Sequence, residues 1–358
     1  MTVGETVDLL TYSFVRLIEN GVPFKSFPSV MLWGAPGVGK SQGVREIAKR
    51  IENSTEKKVT VTDVRLLLFN PVDLRGIPTS NADKTLAVWL KPKIFQMDES
   101  DNTVNILFLD EISAAPPSVQ AAAYQITLDR TVGEHKLPEN CIVIAAGNRI
   151  TDKSVAYKMP KALANRLCHI EVTGNHSSWH EWAVGAGINE FVLGFLDSKP
   201  KYLMGFDNED DGLAFATPRS WEMVSNIFNN VSDDIREVYP LIVGCIGADA
   251  AYELRVWREV YSKTPSIPEI LSGHETRVPS HPEILFALSS QIVAELRRTH
   301  TESEIKNTVA YVSMLPAEFK NKIFSDFLRI KPIRCSLRNN KTFDEWFARS
   351  GREWNDFI

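Results

Sequence analysis

The sequence predicts a parallel α/β sheet with helices on both faces, followed by an all-α part, and three observations predict it. Short apolar runs alternate with helical spacings through the first half of the chain. One of those runs leads into a glycine-rich segment, and another ends in two adjacent acids. From about Trp182 onward the apolar spacing is mostly helical. Strands alternating with helices are the pattern of a parallel sheet, whose crossovers need a helix each.

The strands are expected at residues 29–33, 59–68, 104–109, 141–146 and 168–172. Helices are expected in the second half over 191–196, 221–228, 284–296 and 305–315. The reading divides the chain into an α/β domain at 1–185, a helical domain at 186–275 and a helical C-terminal extension at 276–358. The second break falls in a stretch rich in Pro, Ser, Gly and His, residues 266–282.

The composition suits a globular chain. Of 358 residues, 44% are hydrophobic and 24% charged, and the net charge is −5. That excludes disordered, collagen-like and disulfide-scaffold classes. No run reaches the roughly 18 apolar residues of a membrane span. Met1–Glu5 lacks the basic and apolar parts of a secretory signal. Cys141, Cys168, Cys245 and Cys335 are scattered without a CxxC pair, which fits free thiols in a reducing cytoplasm. A pI near 5.9 argues against a nucleic-acid coat.

Gly34-Ala35-Pro36-Gly37-Val38-Gly39-Lys40-Ser41 matches G-x-x-x-x-G-K-[ST]. Glycines let backbone N–H groups curl around phosphate oxygens without Cβ clashes. Lys40 supplies a point charge for the β/γ-phosphates of ATP, and the Ser41 hydroxyl is a ligand for Mg²⁺. The context agrees: a strand precedes, and a helix follows with Val44, Ile47, Ala48 and Ile51 on one face. The helix N-terminus adds a favourable dipole.

Ile106-Leu107-Phe108-Leu109-Asp110-Glu111 reads as a strand buried on both faces that ends in two acids. The acids emerge at the carboxyl end, where α/β sheets bind ligands. Asp110 is assigned to Mg²⁺ through water. Glu111 is assigned as the general base that polarises the attacking water.

With these motifs the sequence resembles the AAA+ ATPases, and within them the MoxR-like group. The segment Asp110–Ala122 is similar to that group's stretch after the Walker B acids, residues 128–138 to its hairpin, and Cys141–Asn148 to its sensor 1 strand. The resemblance covers roughly residues 28–230. It implies a P-loop NTPase (AAA+) fold with a helical lid and a homo-oligomeric, hexameric ring. It also implies chaperone-like remodelling of a protein client, often with a von Willebrand factor A domain partner.

Further residues take expected roles from it. Asn148 follows Ala145-Ala146-Gly147 and matches the sensor 1 amide, which orients the lytic water or touches the γ-phosphate; a turn asparagine is the plainer alternative. Arg166, in Asn165-Arg166-Leu167, resembles the arginine-finger segment, although the family often has Asp-Arg-Phe there. Lys161 is the competing residue for that role. Arg219 follows Thr217 as N-cap and Pro218 at N1. A cation at a positive helix end is unfavourable unless an anion binds, and the family's sensor 2 arginine occupies such a place.

Residues 70–78 and 85–90 resemble the family's insert in the second helix, which with the later hairpin forms a client-facing surface; two ordinary surface hairpins are the alternative. His176 and His180 stand i, i+4, but with no Glu between them and no third ligand apparent they read as capping or surface histidines. Phe343, Trp346, Phe347, Trp354 and Phe357 read as packing against the helical lid, with a recognition motif as the alternative. The function expected is hydrolysis of ATP by in-line attack of water, coupled to a protein partner. A nucleic-acid motor is the competing class; the negative charge and the lack of a DNA-binding motif weigh against it.

Overall fold

The computed structural model describes residues 1–149, 157, 159, 161–205, 213–298, 300–338 and 340–349. The first unit, Met1–Gly174, is built on five strands: β1 (Val30–Trp33), β2 (Lys58–Arg65), β5 (Thr103–Asp110), β8 (Cys141–Gly147) and β9 (Cys168–Glu171). They lie in the order β2-β5-β8-β1-β9, and every pairing is parallel. Two hairpins leave this sheet, β3 (Ile77–Ser80) with β4 (Ala87–Leu90), and β6 (Thr131–Val132) with β7 (His135–Lys136). The helices are α1 (Val3–Glu19), α2 (Lys40–Thr55), α3 (Pro71–Arg75), α4 (Pro117–Asp129) and α5 (Lys161–Ala164).

The continuous apolar strands of the sequence explain the two covered faces. Successive side chains alternate, so Val30, Leu32, Ile106, Phe108, Ile142 and Ile144 point to one side, where α1 and α2 bury Leu10, Phe14, Val44, Ile47 and Ile51 against them. Met31, Leu107, Leu109, Val143 and Ala145 point to the other, toward Val119, Ala122, Ala123 and Ile126 of α4. The helix starts are specified locally. Thr2 and Glu5 close a capping box at α1, and α2 begins at Gly39, whose φ of 106° is closed to most side chains. The second strand is shorter than its apolar run: the chain leaves β2 at Arg65 and makes a 3₁₀ turn over Leu66–Leu68, which buries Leu66 and exposes Leu67 and Leu68.

The second unit, Asn175–Ile358, is helical in its described residues. It comprises α6 (His176–Ala186), α7 (Glu190–Ser198), α8 (Pro218–Asn230), α9 (Ile235–Ile246), α10 (Ala248–Tyr261), α11 (Ile267–Ser272), α12 (Pro282–Glu295), α13 (Glu302–Met314), α14 (Ala317–Arg329), α15 (Lys331–Leu337) and α16 (Lys341–Arg349). The break between units falls after Gly174, eleven residues before the expected 185, because Trp179, Ala183 and Val184 of α6 join the helical core. One apolar cluster runs from Trp179 to Phe347, on both sides of the expected break at 275. Phe343 and Trp346 of α16 pack on Phe324 of α14, within the C-terminal extension rather than on residues 186–275, with ring centroids 5.2 and 5.1 Å apart; Trp354 and Phe357 lie outside the described residues.

His180 departs from the sequence expectation. It is buried, and its ring lies between Asp197 of α7 and Asp326 of α14. No described helix is long and apolar enough to cross a membrane. The four cysteines are unpaired.

Ile144 sits fully buried at the middle of the central strand β8. Ile144→Ala is expected to lower stability by about 2–5 kcal/mol, from lost burial and a cavity that close packing prevents from collapsing. The denaturant midpoint of the first unit's transition reads this out.

Candidate functional site

The site is assembled at the carboxyl edge of the sheet. The register pairs Trp33 with Gly147 and Leu109 with Ala145, so β1, β5 and β8 end nearly level. Three turns therefore open beside one another: the glycine loop after β1, the acidic turn after β5 and the turn carrying Asn148 after β8.

The loop needs its glycines for steric and conformational reasons. A Cβ on Gly34 would stand 2.5 Å from the Val172 carbonyl oxygen, an overlap with backbone that cannot move aside. Gly37 and Gly39 take φ values of 75° and 106°. Lys40, at the first position of α2, folds back over the loop. Its ammonium donates to the Gly34 carbonyl at 2.5 Å, the Ala35 carbonyl at 3.1 Å and Asn148 Oδ1 at 3.0 Å. The Ser41 hydroxyl donates to Asp110 Oδ2 at 2.8 Å. Lys40 is thus joined to Asn148, and Ser41 to Asp110, by direct hydrogen bonds.

Glu111 is the next residue after the strand and takes a φ of 58°, a left-handed conformation that is unfavourable for a side chain with a Cβ. Its own N–H donates to Asp110 Oδ1 at 2.9 Å. The reversal turns the chain back toward β8, where the Ile112 N–H donates to the Ala146 carbonyl at 3.0 Å. Ser113 was not singled out in the sequence. It is buried, and its Oγ accepts the Asn148 N–H at 2.8 Å. Nothing in a single sequence marks this serine, because its partner lies 35 residues away. Gly147 permits the approach: a Cβ there would lie 2.8 Å from Ser113 Oγ and 2.9 Å from Met31 Cε.

Arg166 and Lys161 lie elsewhere in the first unit. Arg166 is exposed, just before β9, at the opposite edge of the sheet from the glycine loop. Lys161, at the start of α5, is also exposed. A cavity beside Arg166 is lined by Lys25, Arg130, Lys136 and Glu139 among others. Arg219 belongs to the second unit. It lies on the first turn of α8, where Thr217 and Ser220 form the expected cap and Trp221, Val224 and Phe228 are buried.

The residues at the carboxyl edge fit a magnesium nucleotide. The loop is a cradle that a Cβ at Gly34 would fill, Lys40 supplies a buried cation, and a hydroxyl beside a carboxylate is the hard-oxygen donor set that Mg²⁺ prefers.

Residues 29–169 match the model of the ATPase family associated with various cellular activities (AAA). No curated protein matches the chain. Among solved structures, a mutant of RuvB from Thermotoga maritima is 14% identical over 81% of this chain and 80% of its own, with a TM-score of 0.35. NtrX of Brucella abortus in complex with ADP is 16% identical over 88% of this chain and 68% of its own, with a TM-score of 0.35. The complex of NtrX with ATP is 13% identical over the same shares, with a TM-score of 0.34.

The tie between Ser113 and Asn148 is testable as a coupling. Ser113→Ala removes the acceptor and is expected to lower stability by about 1 kcal/mol. Gly147→Ala is expected to lower it by more, through overlap. In the double variant the combined loss should be smaller than the sum of the two, because the hydroxyl is one of the atoms the new methyl meets. Urea midpoints of the four proteins give the answer, and strict additivity would show that the contact is not made.

Proposed function

We propose that this chain is an ATP-hydrolysing ring ATPase of MoxR-like type, in which Lys40, Ser41, Asp110, Glu111 and Asn148 form the catalytic centre. The observation that carries the reading is their assembly at one edge of the sheet, with Lys40 bonded to Asn148 and Ser41 to Asp110. Gly34, Ala35, Pro36, Gly37, Val38 and Gly39 wrap the phosphates, and the Lys40 ammonium exchanges its carbonyl partners for phosphate oxygens. Ser41 Oγ and Asp110 would hold Mg²⁺, which would supply positive charge to offset that of the β/γ-phosphates. Glu111 accepts a proton from the attacking water, and Asn148 orients that water. Positioning and electrostatics then supply most of the rate.

Arg166 acts in trans in this reading. β9 runs parallel to β1 with Cys168 opposite Val30, so Arg166 lies six residues below the level of Gly34 along the strands. At ~3.3 Å per residue that is roughly 20 Å, beyond the reach of one side chain to its own loop. A neighbouring copy in a ring presents its lower edge to this site, and a guanidinium suits the charge that develops on the γ-phosphate. Lys161 is the alternative donor. Arg219 of the helical unit is assigned to a nucleotide phosphate. We take the ring to be hexameric and cytoplasmic.

The partner we infer is a protein, a von Willebrand factor A domain being the class to which the resemblance points. The hairpin β3–β4 and the segment before it leave Leu67, Leu68, Val72, Ile77, Leu86 and Leu90 exposed, a concentration of apolar surface that marks contact sites. The two hairpins form one surface: the ring of His135 bonds the Trp89 carbonyl at 2.7 Å.

Lys40→Ala is expected to abolish ATP binding, whereas Glu111→Gln should bind ATP with near wild-type affinity and lose turnover by roughly a hundredfold or more. Calorimetric titration and phosphate release separate the two. Undiminished hydrolysis by Glu111→Gln would assign the base elsewhere.

Arg166→Ala should bind ATP and hydrolyse it roughly 10³-fold more slowly. Mixed with Lys40→Ala subunits, which are inactive alone, it should regain part of the activity, since some sites then combine an intact Lys40 with a neighbour's Arg166. Mixed rings that stay inactive would move the role to Lys161.

A further inference from the structure

The helical unit holds a second cluster of chemistry-bearing side chains with no part in nucleotide handling. His176 and His180 stand one turn apart on α6, and Asp197 comes from α7. Asp197 Oδ1 lies 3.1 Å from His176 Nε2 and 2.8 Å from His180 Nδ1. One donor atom from each of the three residues lies within 4.8 Å of the others. In a tetrahedral zinc site with bonds of roughly 2.0–2.1 Å, neighbouring ligand atoms are about 3.3 Å apart. The cluster is therefore compact enough to close on one ion.

Two further features point the same way. His176 Nε2 and both oxygens of Asp197 are buried, yet none of their close approaches has the direction of a hydrogen bond. Their partners are charge contacts only, to one another and to Lys322, and buried polar atoms without a directed bond are costly. The outer nitrogen of His180 then has a carboxylate of its own: Nε2 lies 3.0 Å from Asp326 Oδ2. A metal-bound imidazole commonly donates its other N–H to a carboxylate, which fixes the tautomer and raises ligand basicity.

We propose that His176 Nε2, His180 Nδ1 and Asp197 form a binding site for a divalent transition-metal ion, zinc above all, which pins α6 to α7. Two imidazoles and one carboxylate are a donor set that zinc takes with a water as fourth ligand. Lys322 of α14 is the competing cation. Its ammonium lies 3.0 Å from Asp197 Oδ2, 3.6 Å from Asp326 Oδ2, and 3.2 and 2.8 Å from His180 Nδ1 and Nε2, so it already engages donors that the ion would take. With a fifth of its side chain exposed, it can yield Asp197 and His180 Nδ1 to the ion and keep Asp326.

This competition gives the test a sign that a plain ion-pair network does not share. Full-length protein stripped with a chelator is titrated with zinc chloride and followed by calorimetry, metal analysis and thermal unfolding. Wild type should bind one zinc with a dissociation constant of roughly micromolar or below and unfold at higher temperature with zinc present. His176→Ala leaves Asp326, His180 and Lys322 in place and should weaken binding by about tenfold or more. Lys322→Ala should bind zinc more tightly than wild type, because the rival ammonium is gone. Cobalt(II) added to the wild-type protein should give the intense visible absorption of a four-coordinate site, a readout that needs no variant to fold. No bound metal at about 100 µM zinc, or equal binding by wild type and His176→Ala, overturns the proposal and leaves the cluster as a network of ion pairs.

Discussion

The in-register parallel pairing of β1, β5 and β8 is the constraint on which the rest depends. The side-chain period along a strand is two, so a slip of one residue would exchange every inward and outward side chain. It would also lift Asp110 out of reach of the Ser41 hydroxyl, 2.8 Å away in the register observed. The register holds because both faces are sealed: Ile106 and Phe108 bury against one layer and Leu107 and Leu109 against the other. A protein core with no water-facing side has no room for the shifted alternative. The accuracy of the polar site is thus a property of apolar packing.

Above that sheet the polar groups are stitched rather than merely adjacent. The Ile112 N–H bonds the Ala146 carbonyl, and the Asn148 N–H bonds Ser113 Oγ, so the turn that carries Glu111 and the turn that carries Asn148 are joined directly. Lys40 ties the glycine loop to the same unit through Asn148 Oδ1. In the proposed reading, phosphate oxygens that draw the Lys40 ammonium from Gly34 and Ala35 also bear on its bond to Asn148 Oδ1.

Much of this was legible in the chain. The strands and the glycine loop announce themselves because their chemistry demands particular residues at fixed spacings in contiguous sequence: Gly34 to Ser41 is one uninterrupted signature, and Asp110 and Glu111 end an apolar run that only a doubly covered strand needs. What stayed hidden is contact at a distance. Ser113 meets Asn148 across 35 residues, and Asp197 reaches His176 and His180 from the following helix, so two histidines that looked like surface residues stand against a buried carboxylate. The unit boundary was misplaced for a related reason. An amphipathic helix such as α6 shows that it has an apolar face but not which core receives it, and Trp179 and Ala183 went to the helical unit. The 3₁₀ turn over Leu66–Leu68 defeated the strand reading because three leucines carry no period.

The left-handed backbone of Glu111 has a consequence for how this position responds to selection. Glycine would accept a φ of 58° without steric conflict, and every other common side chain is held there at some expense to folding. A search for thermostable variants that scores folding alone should therefore drift toward glycine at 111 and discard the carboxylate in doing so. In the proposed reading, position 111 is a place where durability and chemistry are opposed.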